Sequence, residues 1–319
     1  MNDKLKYSII VPTYNEEEDI ENTISHLLSL NYDNYDIIIV DDSDDNTPNI
    51  IKKFATDKIK LIIPTTRRGR SEARNIGIKA SSSDVVIILN ADVHLPANFI
   101  IQINNHYKNG YDAVCVLSTV KNTDSMFARY VELDFLVNVD KGFYKKSAEE
   151  LKFFWTEGFS VRRDLLIKTS LFPSNEIVPI VAGEDVRLVD ELRKYKCNGI
   201  YDDDIKVKHI SPSIISDFWN VRMGRGEGTP QVRKFLDNWP LKKIALITFL
   251  KSFRRLALFI LIFPIIFRGY QLSKHSYKNS SIEIALMSYA YIIEQTAMTI
   301  GEYKSLLNIY RKRKHFKWG

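Results

Sequence analysis

Ser83–Leu95 reads SDVVIILNADVHL, and the change of character inside it decides the fold. Val85, Val86, Ile87, Ile88 and Leu89 are apolar and uninterrupted, the pattern of a central parallel strand covered on both faces. Asn90, Asp92 and His94 come next at alternate positions, so an extended chain presents all three on one side. That places them at the carboxyl end of the strand, the edge where open α/β sheets bind ligands. Asp92 leads as a candidate metal ligand; service as a loop or helix-cap residue ahead of Pro96 is the structural alternative.

Working outward, apolar runs recur at Tyr7–Val11, Asp36–Val40, Ile59–Ile63 and Ala113–Leu117. Helical spacing fills the gaps: Glu16–Leu30 sets Ile20, Ile24, Leu27 and Leu28 on one face, and Arg70–Ala80 does so less regularly with Ala73, Ile76 and Ile78. Strands alternating with helices of this length predict a mostly parallel, doubly wound α/β sheet.

Parallel strands share a carboxyl end, so the residues just past each run gather at one edge. The first strand leads into Pro12-Thr13-Tyr14-Asn15-Glu16 and the second into Asp41-Asp42-Ser43-Asp44-Asp45-Asn46-Thr47. A flat aromatic ring and carboxylates that accept N–H or O–H hydrogens suit a nucleoside; Tyr14, Asp41 and Asp42 offer these. Asp44 or Asn46 also serves as a cap for the helix beginning near Thr47 or Pro48. The third loop is basic, with Arg67, Arg68 and Arg70 before Arg74 and Asn75, which suits a diphosphate at a helix N-terminus or a solvated loop.

Two cysteines, Cys115 and Cys197, supply neither a disulfide framework nor a CxxC metal site, as expected of a reducing compartment. Tyr7–Val11 is too short and too weakly charged for a signal peptide. The formal +6 is uneven: from Pro240 onward 14 Lys or Arg face 3 acids, a local +11 that leaves −5 to residues 1–239. Two regions are therefore expected, 1–236 and a basic helical 237–319. In the second, Ile244–Leu250 and Leu256–Phe267 are apolar but interrupted by Lys251, Arg254 and Arg255, and no run reaches the roughly 20 residues that cross a bilayer. Helices lying in a membrane interface, or a shallow hairpin kinked at Pro264, fit better, with Arg311-Lys312-Arg313-Lys314, Phe316 and Trp318 at an anionic headgroup layer. A soluble helical subdomain or an oligomer interface is the alternative; nucleic acid is the less suited polyanion, because the charges are interleaved with apolar runs.

The strand-end motifs VPTYNEE (11–17), VDDSDDNT (40–47), GRSEARNIGI (69–78) and NADV (90–93), in this order and spacing, resemble the family 2 glycosyltransferases of GT-A, Rossmann-like fold. Trp155–Arg163 is similar to that family's acceptor-side strand, Gly183–Leu188 to its catalytic acidic motif, and Phe218–Gly226 to its basic segment, so the resemblance covers about residues 5–230. It implies inverting transfer of a sugar from a nucleotide diphosphate, with a UDP-sugar the favoured donor and Mg²⁺ or Mn²⁺ at the diphosphate. Carried over, Pro12, Tyr14, Glu16 and Asp42 line the nucleotide, Arg74 faces the diphosphate, and Asp92 is the last carboxylate of a DxD metal motif. Asp185 is the base beside Glu184, and Arg222, Arg225 and Gly158 serve the diphosphate or acceptor. Inversion needs a carboxylate to take the acceptor's proton opposite the leaving group, and the leaving diphosphate needs cationic neutralisation.

One departure is Asn90 where the motif has a first Asp, a weaker oxygen ligand. His209, matching a metal-ligating position of many relatives, and His94 are the candidates to compensate, and an imidazole favours Mn²⁺. The expected protein is membrane-associated with its catalytic domain in the cytoplasm and a lipid-linked or cell-surface glycan acceptor, shaped by Phe127–Phe154. A polyprenyl phosphate as direct acceptor is a close variant. A non-catalytic membrane scaffold of the same fold is the rival, and a nucleotidyltransferase lacks its Gly-rich phosphate loop here.

Overall fold

The apolar run at the centre of Ser83–Leu95 forms β4 (Val85–Ile88), all four side chains buried. The computed structural model describes residues 4–54, 56–66, 69–140 (139 and 140 by backbone only), 155–173, 180–278 and 280–311. Around β4 stand β1 (Tyr7–Thr13), β2 (Tyr35–Asp41), β3 (Ile59–Ile62), β5 (Val93–His94), β6 (Ala113–Val120), β7 (Phe159–Arg162) and β8 (Gly199–His209), in the order β3-β2-β1-β4-β7-β6-β8-β5. β3, β2, β1 and β4 are parallel. Tyr7 pairs with both Tyr35 and Val85, so these strands run level and Tyr14, Asp42 and Asp92 leave the sheet at one edge.

The other half of the sheet is mixed in direction. β7 runs antiparallel to β4 and β6, and β5 antiparallel to β8. The reason is local: the Gly158 amide donates to the Ile88 carbonyl (3.0 Å), so β7 starts at the edge where β4 ends and must run back. Ile9, Val11, Ile37, Ile87, Val116 and Val207 sit in one core with α1 (Ile20–Leu28), α2 (Thr47–Lys53) and α4 (Phe99–Lys108), while α3 (Gly69–Ala80) lies against Ile10 and Val40, which point to the opposite face.

The remaining helices are α5 (Met126–Asp140), α6 (Arg163–Leu166), α7 (Glu184–Lys194), α8 (Ile215–Gln231), α9 (Leu241–Leu261), α10 (Phe263–Ser273) and α11 (Ser281–Tyr310), with a π-helical turn at Val232–Leu236. The chain divides into two compact units, each discontinuous in sequence: Met1–Thr119, Tyr144–Asn175 and Asp185–His209 form one, and Val120–Phe143, Glu176–Glu184 and Ile210–Gly319 the other. In the second, α5 and α8 join the C-terminal helices because Phe127, Tyr130, Leu133, Phe218, Leu272 and Met287 share one apolar cluster.

The acids of α11 explain how a basic chain packs there. Glu283, Glu294 and Glu302 are 1%, 8% and 1% exposed, so burying them calls for polar partners. Each meets an arginine from a different helix: Arg129 at 2.6 Å, Arg222 at 3.1 Å and Arg255 at 2.9 Å. α9 and α10 meet at a bend of 86° on Ile262, whose φ is +57°. No single described helix is long and apolar enough to cross a membrane; this bent pair meets that test jointly.

Candidate active site at the strand-end edge

Polar residues after β1 and β2 first knit the two loops together. Asp41 is 1% exposed and accepts from Thr13 Oγ1 (2.6 Å) and Ser43 Oγ (2.7 Å). The Asn15 amide, in a left-handed conformation (φ +55°), donates to Ser43 Oγ, and its side chain accepts from the Asp44 amide. Asp45, rather than Asp44 or Asn46, receives the Thr47 amide at the start of α2 (2.9 Å). Asp42 Oδ2 accepts from the Gly69 amide at the start of α3 (2.8 Å), tying the nucleotide-side acid to the basic loop; Arg67 and Arg68 lie outside the described residues. Pro12 and Tyr14 are half-buried at the end of β1. Glu16 lies in the turn before α1, where burial, then the charge of Asp92, pushes its carboxyl up to about 8.

Asp92 and His209, 117 residues apart, meet at this edge: Asp92 Oδ2 is 2.9 Å from His209 Nε2. The antiparallel pairing of β5 with β8 sets Val93 opposite His209 and so brings them together. On the other side of the ring, Nδ1 is 3.6 Å from Glu157 Oε1, and Glu157 Oε2 accepts a short hydrogen bond from Ser118 Oγ. Nothing in the sequence singles out Glu157, which reads as one residue of the Trp155–Arg163 strand. Gly158 has φ +82°, and a Cβ there would press on Val116 and Val207 at 3.2 Å, so only glycine lets the chain set Glu157 down beside the ring.

Arg74 and Asn90 are partners. The guanidinium is fully buried, donates to Asn90 Oδ1 and to Thr156 Oγ1 at 2.8 Å each, and lies 5.1 Å from the Phe172 ring. Arg74 therefore braces the loop that carries Asp92 instead of reaching out to a diphosphate, and the amide at position 90 is turned to it. His94, 6% exposed, stacks on His26 at 4.3 Å.

Asp185 is half-buried and Glu184 buried at the N-terminus of α7, entered through Gly183 at φ +87°. The positive end of a helix favours the ionised carboxylate, the form a base needs. Arg222 corrects the expectation placed on it: 2% exposed, paired with Glu294 and 4.9 Å over the Phe218 ring, it is a packing residue of the helical unit. Arg225 is exposed on α8. Of Phe127–Phe154, residues 141–154 lie outside the described set, as does 312–319 of the basic end.

A divalent cation fits the Asp92 edge. Asp92 Oδ1 is buried with no hydrogen-bond partner among the described residues, and beside it stand a carboxylate oxygen and an imidazole nitrogen, donors that suit Mn²⁺. The carboxylates of Asp202, Asp203 and Asp204 also lie close together. They sit at the other end of β8, about 20 Å along the strand from His209, and Asp202 is held by His106 at 2.7 Å.

The family model for "Glycosyl transferase family 2" matches residues 8–170, more than half of the chain. The chain belongs to this family. Among curated relatives, it is 36% identical over 111 residues to the dolichol-phosphate mannosyltransferase of Pyrococcus furiosus, covering 34% of this chain and 32% of that one. It is 32% identical over 126 residues to the UDP-Glc:alpha-D-GlcNAc-diphosphoundecaprenol beta-1,3-glucosyltransferase WfgD of Escherichia coli, covering 39% and 50%. These matches thus span a third to a half of the relatives' length. Among solved structures, the mannosyltransferase PcManGT of Pyrobaculum calidifontis, in complex with GDP-Man and Mn²⁺, superposes with a TM-score of 0.63 at 17% identity, over 96% of this chain and 88% of that one. TarS of S. aureus with UDP-GlcNAc superposes at 0.55 and 16%, over 98% and 93%. This family 2 chain therefore has their fold, the mixed α/β sheet flanked by helices.

Proposed function

We propose that this family 2 chain moves a sugar, with inversion, from a nucleotide-diphosphate donor to a lipid-linked or glycan acceptor. The observation that carries the reading is the meeting of Asp92 with His209 at the edge where β2 ends in Asp41 and β1 leads into Glu16. Among the relatives, WfgD is named for UDP-Glc and a diphosphoundecaprenol-linked acceptor, and the Pyrococcus enzyme for dolichol phosphate and mannosyl transfer. A UDP-sugar with Mn²⁺ is the donor system favoured here.

In this reading Tyr14 and Asp42 receive the nucleoside, Asp42 already fixed by the Gly69 amide. Asp92 and His209 hold the divalent cation, which when bound neutralises charge on the leaving diphosphate. Arg74 keeps Asn90 and Thr156 in place and so holds the Asp92 loop. Asp185 takes the acceptor hydroxyl's proton, and Glu184 orients it or the acceptor. Arg225 and Gly158 stay with the diphosphate or acceptor side.

The helical unit supports attachment to an anionic membrane from the cytoplasmic side. Ile260, Leu261, Ile262 and Phe263 around the α9–α10 bend are 59–72% exposed. Leu241–Lys274 contains seven Lys or Arg and no acid, the composition of an interfacial element.

The experiment is nucleoside diphosphate release from a panel of nucleotide sugars with Mn²⁺ and membrane acceptors. Asp185→Asn should cut turnover a hundred- to ten-thousandfold and leave donor binding near wild type. Full turnover in Asp185→Asn would remove it as the base.

A further inference from the structure

Glu157 belongs to neither the cation's ligands nor the nucleotide's, yet its carboxylate is built in from three sides. Ser118 Oγ, on β6, donates to Oε2; His209 Nδ1, on β8, is 3.6 Å from Oε1; and the backbone turns at Gly158, whose amide is fixed to Ile88 on β4. Thr119 Oγ1 donates to the Val207 carbonyl (3.0 Å), so the strands carrying Ser118 and His209 are themselves cross-tied. The side chains of Glu157 and His209 are 19% and 20% exposed, so the pair lies mostly out of bulk water.

An imidazole that binds a metal through one nitrogen needs its other nitrogen held, because the ring otherwise flips or takes the wrong tautomer. Here Nε2 points to Asp92 and Nδ1 to Glu157. Glu157 is not placed to share the cation directly, since the ring stands between it and Asp92. We propose that Glu157 is a positioning residue for the metal centre: it holds the Nδ1 proton of His209 and leaves the Nε2 lone pair to the cation at Asp92. Ser118, by occupying the other carboxylate oxygen, sets the angle of Glu157. This rests on the reading of the Asp92 edge as a metal site.

The test is Mn²⁺ alone, titrated into the full chain and monitored by loss of the free-ion electron paramagnetic resonance signal. Glu157→Gln should weaken Mn²⁺ binding about 10- to 100-fold, and Ser118→Ala should weaken it in the same direction, serving also as the second variant if Glu157→Gln does not fold. In a His209→Ala background, Glu157→Gln should change the affinity no further, because the residue acts through the ring. Unchanged Mn²⁺ affinity in folded Glu157→Gln overturns the proposal while leaving the metal site standing. A full additional loss in the His209→Ala background overturns it too, making Glu157 a direct ligand. If the wild-type chain takes up no Mn²⁺, the metal site itself fails and the role of Glu157 with it.

Discussion

Glu16 sits in the turn between β1 and α1, its amide held by Thr47 Oγ1 at 2.9 Å, its carboxyl among Asp92, Asp19 and Asp45. Burial and these charges raise the carboxyl from its ordinary 4.5 to about 8, so the folded chain binds this proton more tightly than the unfolded one. Stability from Glu16 is then fully present below about pH 4.5 and lost as pH rises through 8. Glu16→Gln, which cannot ionise, should remove that loss and gain about 1–3 kcal/mol over wild type near pH 9, discounted for partial exposure, with little difference near pH 4.5. Urea unfolding across this range measures it, and parallel pH profiles for the two proteins would contradict it. At this scale much is legible in the sequence: motif and residue type point to Asp92 and His209. Glu157 is not legible, because its meaning lies in a ring 52 positions later. Arg222 misleads because a basic residue in a plausible motif looks the same whether it faces a phosphate or Glu294, and only burial distinguishes the two.

Among the elements, α8 and α11 show packing that hydrophobic periodicity does not predict. Gly226 lets α8 lie against the Met298 carbonyl, and Gly301 lets α11 lie against that of Met223; a Cβ at either falls well inside contact distance of backbone. Gly226→Ala or Gly301→Ala should therefore destabilise by about 1–3 kcal/mol or more, since backbone cannot move aside as a side chain can. Gly224→Ala, which meets only Val181 Cγ1 at 3.4 Å, should be neutral or gain up to about 1 kcal/mol from helix propensity. Thermal and urea unfolding of the three variants decides, and equal effects would refute this view of the interface. The strands β1, β2, β3, β4 and β6 are legible because branched apolar runs announce buried strands. The antiparallel β7 and two-residue β5 are not, because strand direction is set by which edge the chain returns to, not by composition.

For the whole molecule, the charge asymmetry along the sequence resolves into two units whose boundary is discontinuous along the chain. Excess arginine near α11 is partly engaged by its buried acids, and the exposed apolar bend of α9 and α10 is the surface proposed to meet lipid. Phe263 and Phe267, stacked at 6.2 Å beside that bend, are the natural probes. Phe263→Glu with Phe267→Glu should abolish cosedimentation with phosphatidylglycerol vesicles, and the wild type should bind these better than phosphatidylcholine vesicles and less well in high salt. Cosedimentation of the double variant at the wild-type level would exclude the bend as the attachment site. The proposed activity requires the Asp92 edge to hold a nucleotide diphosphate through a cation, and calorimetric titration of UDP with and without Mn²⁺, on wild type and Asp92→Asn, addresses it most directly. Mn²⁺ should tighten UDP binding at least about tenfold in the wild type, the scale on which even outer-shell partners of a metal centre act, and should do nothing for Asp92→Asn. UDP binding indifferent both to Mn²⁺ and to the Asp92 substitution would contradict it.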